Sequence, residues 1–231
     1  MRHYFNVNNE KGSSVRSALK AIADKSTSPA AYRKAFVTLG EDMGYVVKTK
    51  YPERGKTVVA CPNEDADWLV SGMLKSLNDE NATLRVYWAD RVTVSENPEM
   101  EISPIKSSYE EPIDGCDTLI IAKSIINTSC VVRTQLTRLI GEISPKHIII
   151  AAPVMYKDAE DNLRKEFPQE ISSRFEFVTF AIDDEREGST VIPGIGGFIT
   201  ERLGLGNTMA DNNKYIPNIV KKRYTKYAKS L

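Results

Sequence analysis

Three groups of residues in this chain have types and spacings that can do chemistry. The first is Lys123-Ser124 followed by Asn127-Thr128-Ser129-Cys130. An ammonium, small hydroxyls and loop amides just before a helix are the parts of an anion site, because the amides converge and the helix N-terminus adds partial positive charge. That loop has no glycine to let its amides curl round a phosphate, and no aspartate for a sugar hydroxyl or a metal. The second group is acidic: Glu64 and Asp65, then Ala66 and Asp67. Carboxylates so close together can hold magnesium or a cationic partner, or one can serve as a base. The simpler reading is a solvated first helical turn, where acids favour the helix dipole. The third is Ile192-Pro193-Gly194-Ile195-Gly196-Gly197, a backbone-rich turn whose glycines let a flat ring approach closely. Phe198 beside it can stack on such a ring or merely pack.

The elements that must position these groups follow from hydropathy. Thr118–Ile121 is a short β-branched run, as in a strand buried on both faces. After the loop, Val131, Val132, Leu136, Leu139 and Ile140 share one helical face, and Arg133, Gln135 and Arg138 another. Further strands are expected at Thr57–Cys61, Thr83–Trp88, Lys146–Ala152 and Phe175–Phe180. Helices alternate with them, one through Trp68, Leu69, Met73 and Leu77 and one over Lys157–Phe167. Alternation of this kind implies right-handed crossovers and a largely parallel sheet. Two helices precede it. The spacing predicts one over 13–24, capped by Ser13 or Ser14. A second is capped by Ser28, opened by Pro29 and ended by Gly44. Residues 1–12 read as a loose arm, 45–56 as a charged turn or β-arm, 89–116 as a hairpin flap over the site, and 207–231 as a tail with a terminal helix.

Length and composition bound the function. The chain has 231 residues, enough for one domain over 1–231 with a real core. Lys+Arg and Asp+Glu balance at 31 each, so nothing favours nucleic acid as a partner. The tail's interleaved Lys, Arg and Tyr read as a solvated helix or an oligomer contact. Three cysteines, Cys61, Cys116 and Cys130, lack metal-ligand spacing and fit reduced thiols in the cytoplasm. No run approaches the length of a membrane span. His3 and His147 are too isolated for metal or triad chemistry.

The order of these pieces resembles the uracil phosphoribosyltransferase family of the type I phosphoribosyltransferases. Asp24-Lys25-Ser26-Thr27-Ser28 with Tyr32-Arg33 is similar to the family's Asp-Lys-Asn-Thr-Ser and Phe-Arg. Ser71-Gly72-Met73-Leu74 is similar to the helix after the first core strand, Ala151-Ala152-Pro153 to a later strand end, and Ile192–Gly196 to the uracil-binding Val-Pro-Gly-Leu-Gly. The resemblance covers 13–206 and implies an α/β phosphoribosyltransferase-like fold: a largely parallel sheet flanked by helices, with an N-terminal helical segment and a β-hairpin or flap excursion. It implies transfer of a phosphoribosyl group from phosphoribosyl pyrophosphate to uracil, with magnesium if turnover occurs, and a homodimer or hetero-oligomer.

Residue by residue, the resemblance assigns base binding to Ile192, Pro193, Gly194, Ile195, Gly196 and Gly197. The family's Asp-Pro-Met-Leu-Ala-Thr-Gly-Gly-Ser falls on 122–130, so its ribose aspartate becomes Ala122 and its glycine cradle becomes Asn127-Thr128-Ser129-Cys130. Its pyrophosphate Leu-Arg-Ala-Gly falls on 63–66, so the arginine becomes Glu64, with Asp65 and Ala66 after it. These replacements lead to the expectation of a pyrimidine- or nucleotide-binding regulatory or accessory protein with impaired transfer. The alternatives are an active uracil phosphoribosyltransferase, another nucleotide-processing enzyme on the same fold using Glu64, Asp65 or Asp67, and a pure interaction subunit.

Overall fold

A computed structural model describes residues 1–6, 12–77, 82–93, 101–188 and 190–228. The main sheet is built from β2 (Thr57–Pro62), β3 (Thr83–Ala89), β6 (Ile105–Glu110), β7 (Thr118–Ala122), β9 (His147–Ala151) and β11 (Phe175–Val178). Their order is β11-β9-β7-β2-β3-β6, parallel throughout except for β6 at the edge. The largely parallel α/β sheet read from the alternation is therefore present. β2 and β7 are buried along their whole length, as their apolar runs require. From β2 the chain steps to β3 on one side and later to β7 on the other. That reversal of direction opens a crevice beyond the ends of β2 and β7, where open α/β sheets bind ligands.

Beyond β7, β9 and β11 the backbone kinks and continues as β8 (Ile125–Ile126), β10 (Val154–Tyr156) and β12 (Ala181–Asp183). With β1 (Arg2–Tyr4) these form a second sheet of order β1-β12-β10-β8. Residues 2–4 are thus a strand antiparallel to β12 and not a loose arm; residues 7–11 of that expectation lie outside the described residues. Two short hairpins complete the strands. One pairs β4 (Val92–Thr93) with β5 (Glu101–Ile102), and the other pairs β13 (Glu185–Glu187) with β14 (Thr190–Ile192). The expected flap is accordingly divided. Its first part is a hairpin whose residues 94–100 lie outside the described residues, and its second part is the sheet edge β6.

Helices cover both faces. On one side α1 (Gly12–Ala23), α2 (Pro29–Lys50) and α4 (Ser71–Leu77) share a core with Val59, Leu84 and Ile120. On the other, α5 (Cys130–Glu142) and α6 (Ala159–Lys165) bury Val132, Leu136, Leu139 and Leu163 against Val58, Leu119 and Ile150. Ser28 caps α2, accepting from the Ala31 amide, with Pro29 in the first turn as expected. The expected end at Gly44 is wrong. α2 runs on to Lys50, so residues 45–50 are helix and not turn or β-arm. Gly44 is there for contact: a Cβ on it would lie 2.5 Å from the Met73 carbonyl oxygen, and one on Gly40 would overlap that of Leu69. Gly72 faces back against Val37 in the same way. α1 likewise starts at Gly12, and Ser14 reaches Asp42 on α2 instead of capping.

The tail is two helices. α9 (Met209–Lys214) opens with a capping box between Thr208 and Asp211, and α10 (Asn218–Ala228) follows Pro217, which separates them. Residues 229–231 of the expected terminal helix lie outside the described residues.

Candidate functional site

β2 ends in Asn63-Glu64-Asp65, a single helical turn labelled α3 (Asn63–Asp65). It widens to a π-turn over Ala66–Val70 before α4. This places Glu64 and Asp65 at the end of β2, facing Lys123 at the end of β7. Lys123 is buried, with Nζ 3.1 Å from Asp65 Oδ2, 3.2 Å from Glu64 Oε1 and 3.2 Å from Ser124 Oγ. The Ser124 amide donates to Asp65 Oδ2 at 3.1 Å. A carboxylate from within the chain therefore takes the ammonium and the loop amide that a bound anion would use. The expected solvated turn is overturned, because Asp65 is 1% exposed.

Burial pushes the Asp65 carboxyl up, against the pull of Lys123. Burial also works against charge on Glu64, but the Lys123 ammonium and hydrogen bonds, including one from Asn212, hold its carboxyl below the usual range. For Lys123, burial opposes the charge, yet Asp65 and Glu64 keep the ammonium above its ordinary value. These are the marks of a neutralising cluster, with the proton demand falling on Asp65.

Asp67, the third acid, is elsewhere. It caps the last helix, accepting from the Asn218 and Ile219 amides at 2.7 and 2.8 Å and from Tyr215 Oη at 2.5 Å. Tyr215 stacks on Trp68, and its carbonyl accepts from Trp88 Nε1 at 2.8 Å. Asn212 joins Asn63 and Glu64, donating to Glu64 Oε2 at 3.1 Å. The C-terminal segment is thus fastened to the acidic turn and the π-turn after it through Asn63, Glu64 and Asp67. No sequence signal pointed to this, because Asn212 and Tyr215 lie in no motif.

At the phosphate-loop position Ser129 stands at the N-cap of α5 but makes no side-chain cap bond. Its hydroxyl donates to Glu166, which also pairs with Arg133 at 2.7 Å. Cys130 is buried and donates to the Glu101 carbonyl. Ala122 is buried and offers nothing to a sugar. Asn127 and Thr128 remain half-buried.

The glycine turn is held from three sides. Arg2 Nη2 donates to the Gly194 carbonyl at 2.6 Å and pairs with the fully buried Asp183, which accepts from the Gly194 amide at 2.9 Å. Tyr32 Oη donates to the Ile195 carbonyl at 2.8 Å. Gly194 and Gly196 have φ of +56° and +74°, and a Cβ on Gly196 would lie 2.6 Å from the Ile22 carbonyl oxygen. Only glycine fits there. Gly197 by contrast opens onto free space. Arg202 donates to the Asp24, Lys25 and Thr27 carbonyls and covers the Tyr32 ring, which ties the N-terminal motif to this turn. Sequence reasoning missed Arg2 and Asp183, which share no pattern and meet only when β1 pairs with β12.

All three groups line one cavity of about 250 Å³. Lys123, Asn127 and Thr128 come from the β7 loop, Glu64 from the acidic turn, and Ile195, Gly197 and Phe198 from the glycine turn. Arg91 and Ser103 from the hairpin, and Thr200, Met209 and Asn212 from the C-terminal third, complete it. These last five were not among the candidates. Ile192 and Pro193 shape the turn without lining the space; Ile192 is exposed. Ser124, Ser129, Cys130, Asp65 and Ala66 do not line the space. Among the described residues no group of three His, Cys, Asp or Glu comes together as a metal cage. Glu64, Asp65 and Asp67 already serve Lys123 and backbone amides, so they do not fit a magnesium site. Among the described residues no helix is long and apolar enough to cross a membrane.

No family model matches the chain. A uracil phosphoribosyltransferase of Methanococcus vannielii is 27% identical over 200 residues, 77% of this chain and 81% of that protein. The solved structure of the AQ2163 protein from Aquifex aeolicus superposes with a TM-score of 0.68 at 16% identity, covering 82% of this chain and 93% of that one. It therefore shares the fold. A hypoxanthine phosphoribosyltransferase from Trypanosoma cruzi matches at a TM-score of only 0.38 and 8% identity, over 55% of this chain and 67% of that one, too loosely to argue from. The likeness read from the motifs thus has a counterpart among known proteins: this chain is similar, over 77% of its length, to a uracil phosphoribosyltransferase.

Proposed function

We propose that this protein binds a pyrimidine, as uracil or its nucleotide, in the cavity between the glycine turn and the β7 loop. In this reading it transfers phosphoribosyl groups poorly or not at all and acts as a regulatory or accessory component. The observation that carries it is the Asp65 carboxylate, held by the Ser124 amide and Lys123 where the donor's anionic groups would dock. A second internal carboxylate, Glu166, takes the Ser129 hydroxyl at the head of α5. Removing a single preorganised contact to developing charge costs about 3–4 kcal/mol of transition-state stabilisation. Here the ribose acid is Ala122, the pyrophosphate arginine is Glu64, and the cradle glycines are absent. The base half keeps its glycine turn and its supports.

The test is calorimetric titration with phosphoribosyl pyrophosphate and magnesium, alongside radiolabelled uracil in a turnover assay. Uracil or UMP binding without donor binding is the expected result. Micromolar donor binding, or UMP formed at an ordinary turnover rate, refutes the reading. The second reading is an active uracil phosphoribosyltransferase, favoured by the Methanococcus vannielii relative; the same assay decides it. As an accessory component the protein is expected to be a homodimer or hetero-oligomer, which size-exclusion chromatography reads directly.

A further inference from the structure

We propose that the polar back wall of the cavity, Glu64, Thr200 and Asn212, is a seat for sugar hydroxyls, so that the ligand is a pyrimidine ribonucleoside or its nucleotide and not the free base. This rests on the pyrimidine reading above and adds a replacement for the ribose acid missing at Ala122.

Thr200 is 1% exposed, and its Oγ1 has no hydrogen-bond partner among the described residues, although it lines the cavity. A buried hydroxyl left unpaired is costly, and such groups in native proteins call for a partner. Threonine in a helix divides between two χ1 rotamers, so turning the hydroxyl toward the cavity needs only a rotation about one bond. Asn212 lines the same cavity; its amide group donates to Glu64 Oε2 at 3.1 Å and to Asn63 Oδ1 at 3.3 Å, which leaves its own Oδ1 able to accept. Each carboxylate oxygen has a second lone pair, and Glu64 stays ionised beside Lys123, so it can still accept from a sugar hydroxyl. Two acceptors and an unpaired hydroxyl lining one cavity match a vicinal diol, whose hydroxyls both donate and accept.

Position and size agree. Glu64, Thr200 and Asn212 line the same space as Ile195 and Gly197, so a ring on the glycine turn would share the cavity with them. A volume of about 250 Å³ sits just under the roughly 300–1,000 Å³ of drug-sized sites, which suits a nucleoside-sized molecule.

Titration of the full chain with uracil, uridine and 2′-deoxyuridine tests this, in the native protein and in Thr200→Val, which removes the hydroxyl at nearly constant volume. Uridine is expected to bind about tenfold tighter than uracil and about fivefold tighter than 2′-deoxyuridine, the size of one or two hydrogen bonds. Thr200→Val should reduce both ratios severalfold, while Thr200→Ser keeps the native ratios. Thermal unfolding of the unliganded variants confirms that each is folded. Equal affinity for all three ligands overturns the sugar seat and leaves pyrimidine binding standing. So does a Thr200→Val variant that keeps the native ratios or weakens all three alike. Absence of binding by all three overturns both readings.

Discussion

Replacing Lys123 with Met removes the ammonium that bridges the buried Asp65 and the half-buried Glu64, and the size of the effect follows from the distances. Each Lys123 contact, at 3.1 and 3.2 Å, is worth about 5 kcal/mol of gross Coulomb attraction at an effective dielectric of about 20. Desolvation of the three charges offsets most of that, and breaking a buried pair by deleting one partner costs about 3–5 kcal/mol. The variant has one escape, which is to protonate a carboxyl. From an ordinary pKa near 4 this costs about 4 kcal/mol at pH 7, so the loss is bounded at about that figure. For a chain of this length, with about 2–4 °C per kcal/mol, the expected drop in melting temperature is about 6–16 °C. The loss should shrink with acidification. Without Lys123 both carboxyls are held above their unfolded values, so the folded variant gains relative stability below about pH 4 and loses it as pH rises toward neutrality. Scanning calorimetry from pH 7 to pH 4 reads both effects. The double variant Lys123→Met/Asp65→Asn should recover part of the neutral-pH loss, since the charge repulsion is gone and the Ser124 amide keeps an acceptor. A melting temperature for Lys123→Met within 2 °C of native at pH 7, or an equal loss at every pH, refutes the neutralising cluster.

Two other substitutions probe what holds the site in place. Gly40→Ala puts a methyl onto the Leu69 carbonyl and forces α2 away from the π-turn that leads into α4; a lowered urea midpoint equivalent to about 1–3 kcal/mol is expected, with unchanged m-value. Arg2→Ala strips the partner from the buried Asp183 and the donor from the Gly194 carbonyl. It should cost about 3–5 kcal/mol in stability and weaken uracil or uridine binding, and titration at a temperature where the variant is still folded would show unchanged affinity if the turn needed no such support.

Most of the sheet was legible because its strands are short β-branched runs, and a strand buried on both faces has no other way to be written. Ser28 and Pro29 announced the start of α2 for an equally local reason, since a cap satisfies amides within its own turn. The end of α2 was misread because glycine has two uses. Gly44 as a stop and Gly44 as a contact look alike until α4 is seen lying against it. The site was legible in its members and not in its wiring. Lys123, Glu64 and Asp65 were each visible as candidates, but the spacing along the chain between 65 and 123 carries no sign that they touch. That information is in the β2–β7 pairing, which puts two strand ends side by side. Arg2 and Asn212 were invisible for the same reason: each acts through a partner far away in sequence, and neither has a repeat or motif to mark it.

The docking of the C-terminal helices on the acidic turn has a consequence for how this scaffold can change. Glu64 serves Lys123 and Asn212 together, and Asp67 anchors α10. Installing an arginine at 64 would set two cations face to face and strand Asn212, while leaving Lys123 to Asp65 alone. A single replacement at 64 therefore runs downhill in stability, and only a change made together with one at Lys123 or Asn212 avoids the loss. The architecture behaves as a ratchet: Glu64 and Asp67 are masonry, and masonry is hard to take out one stone at a time.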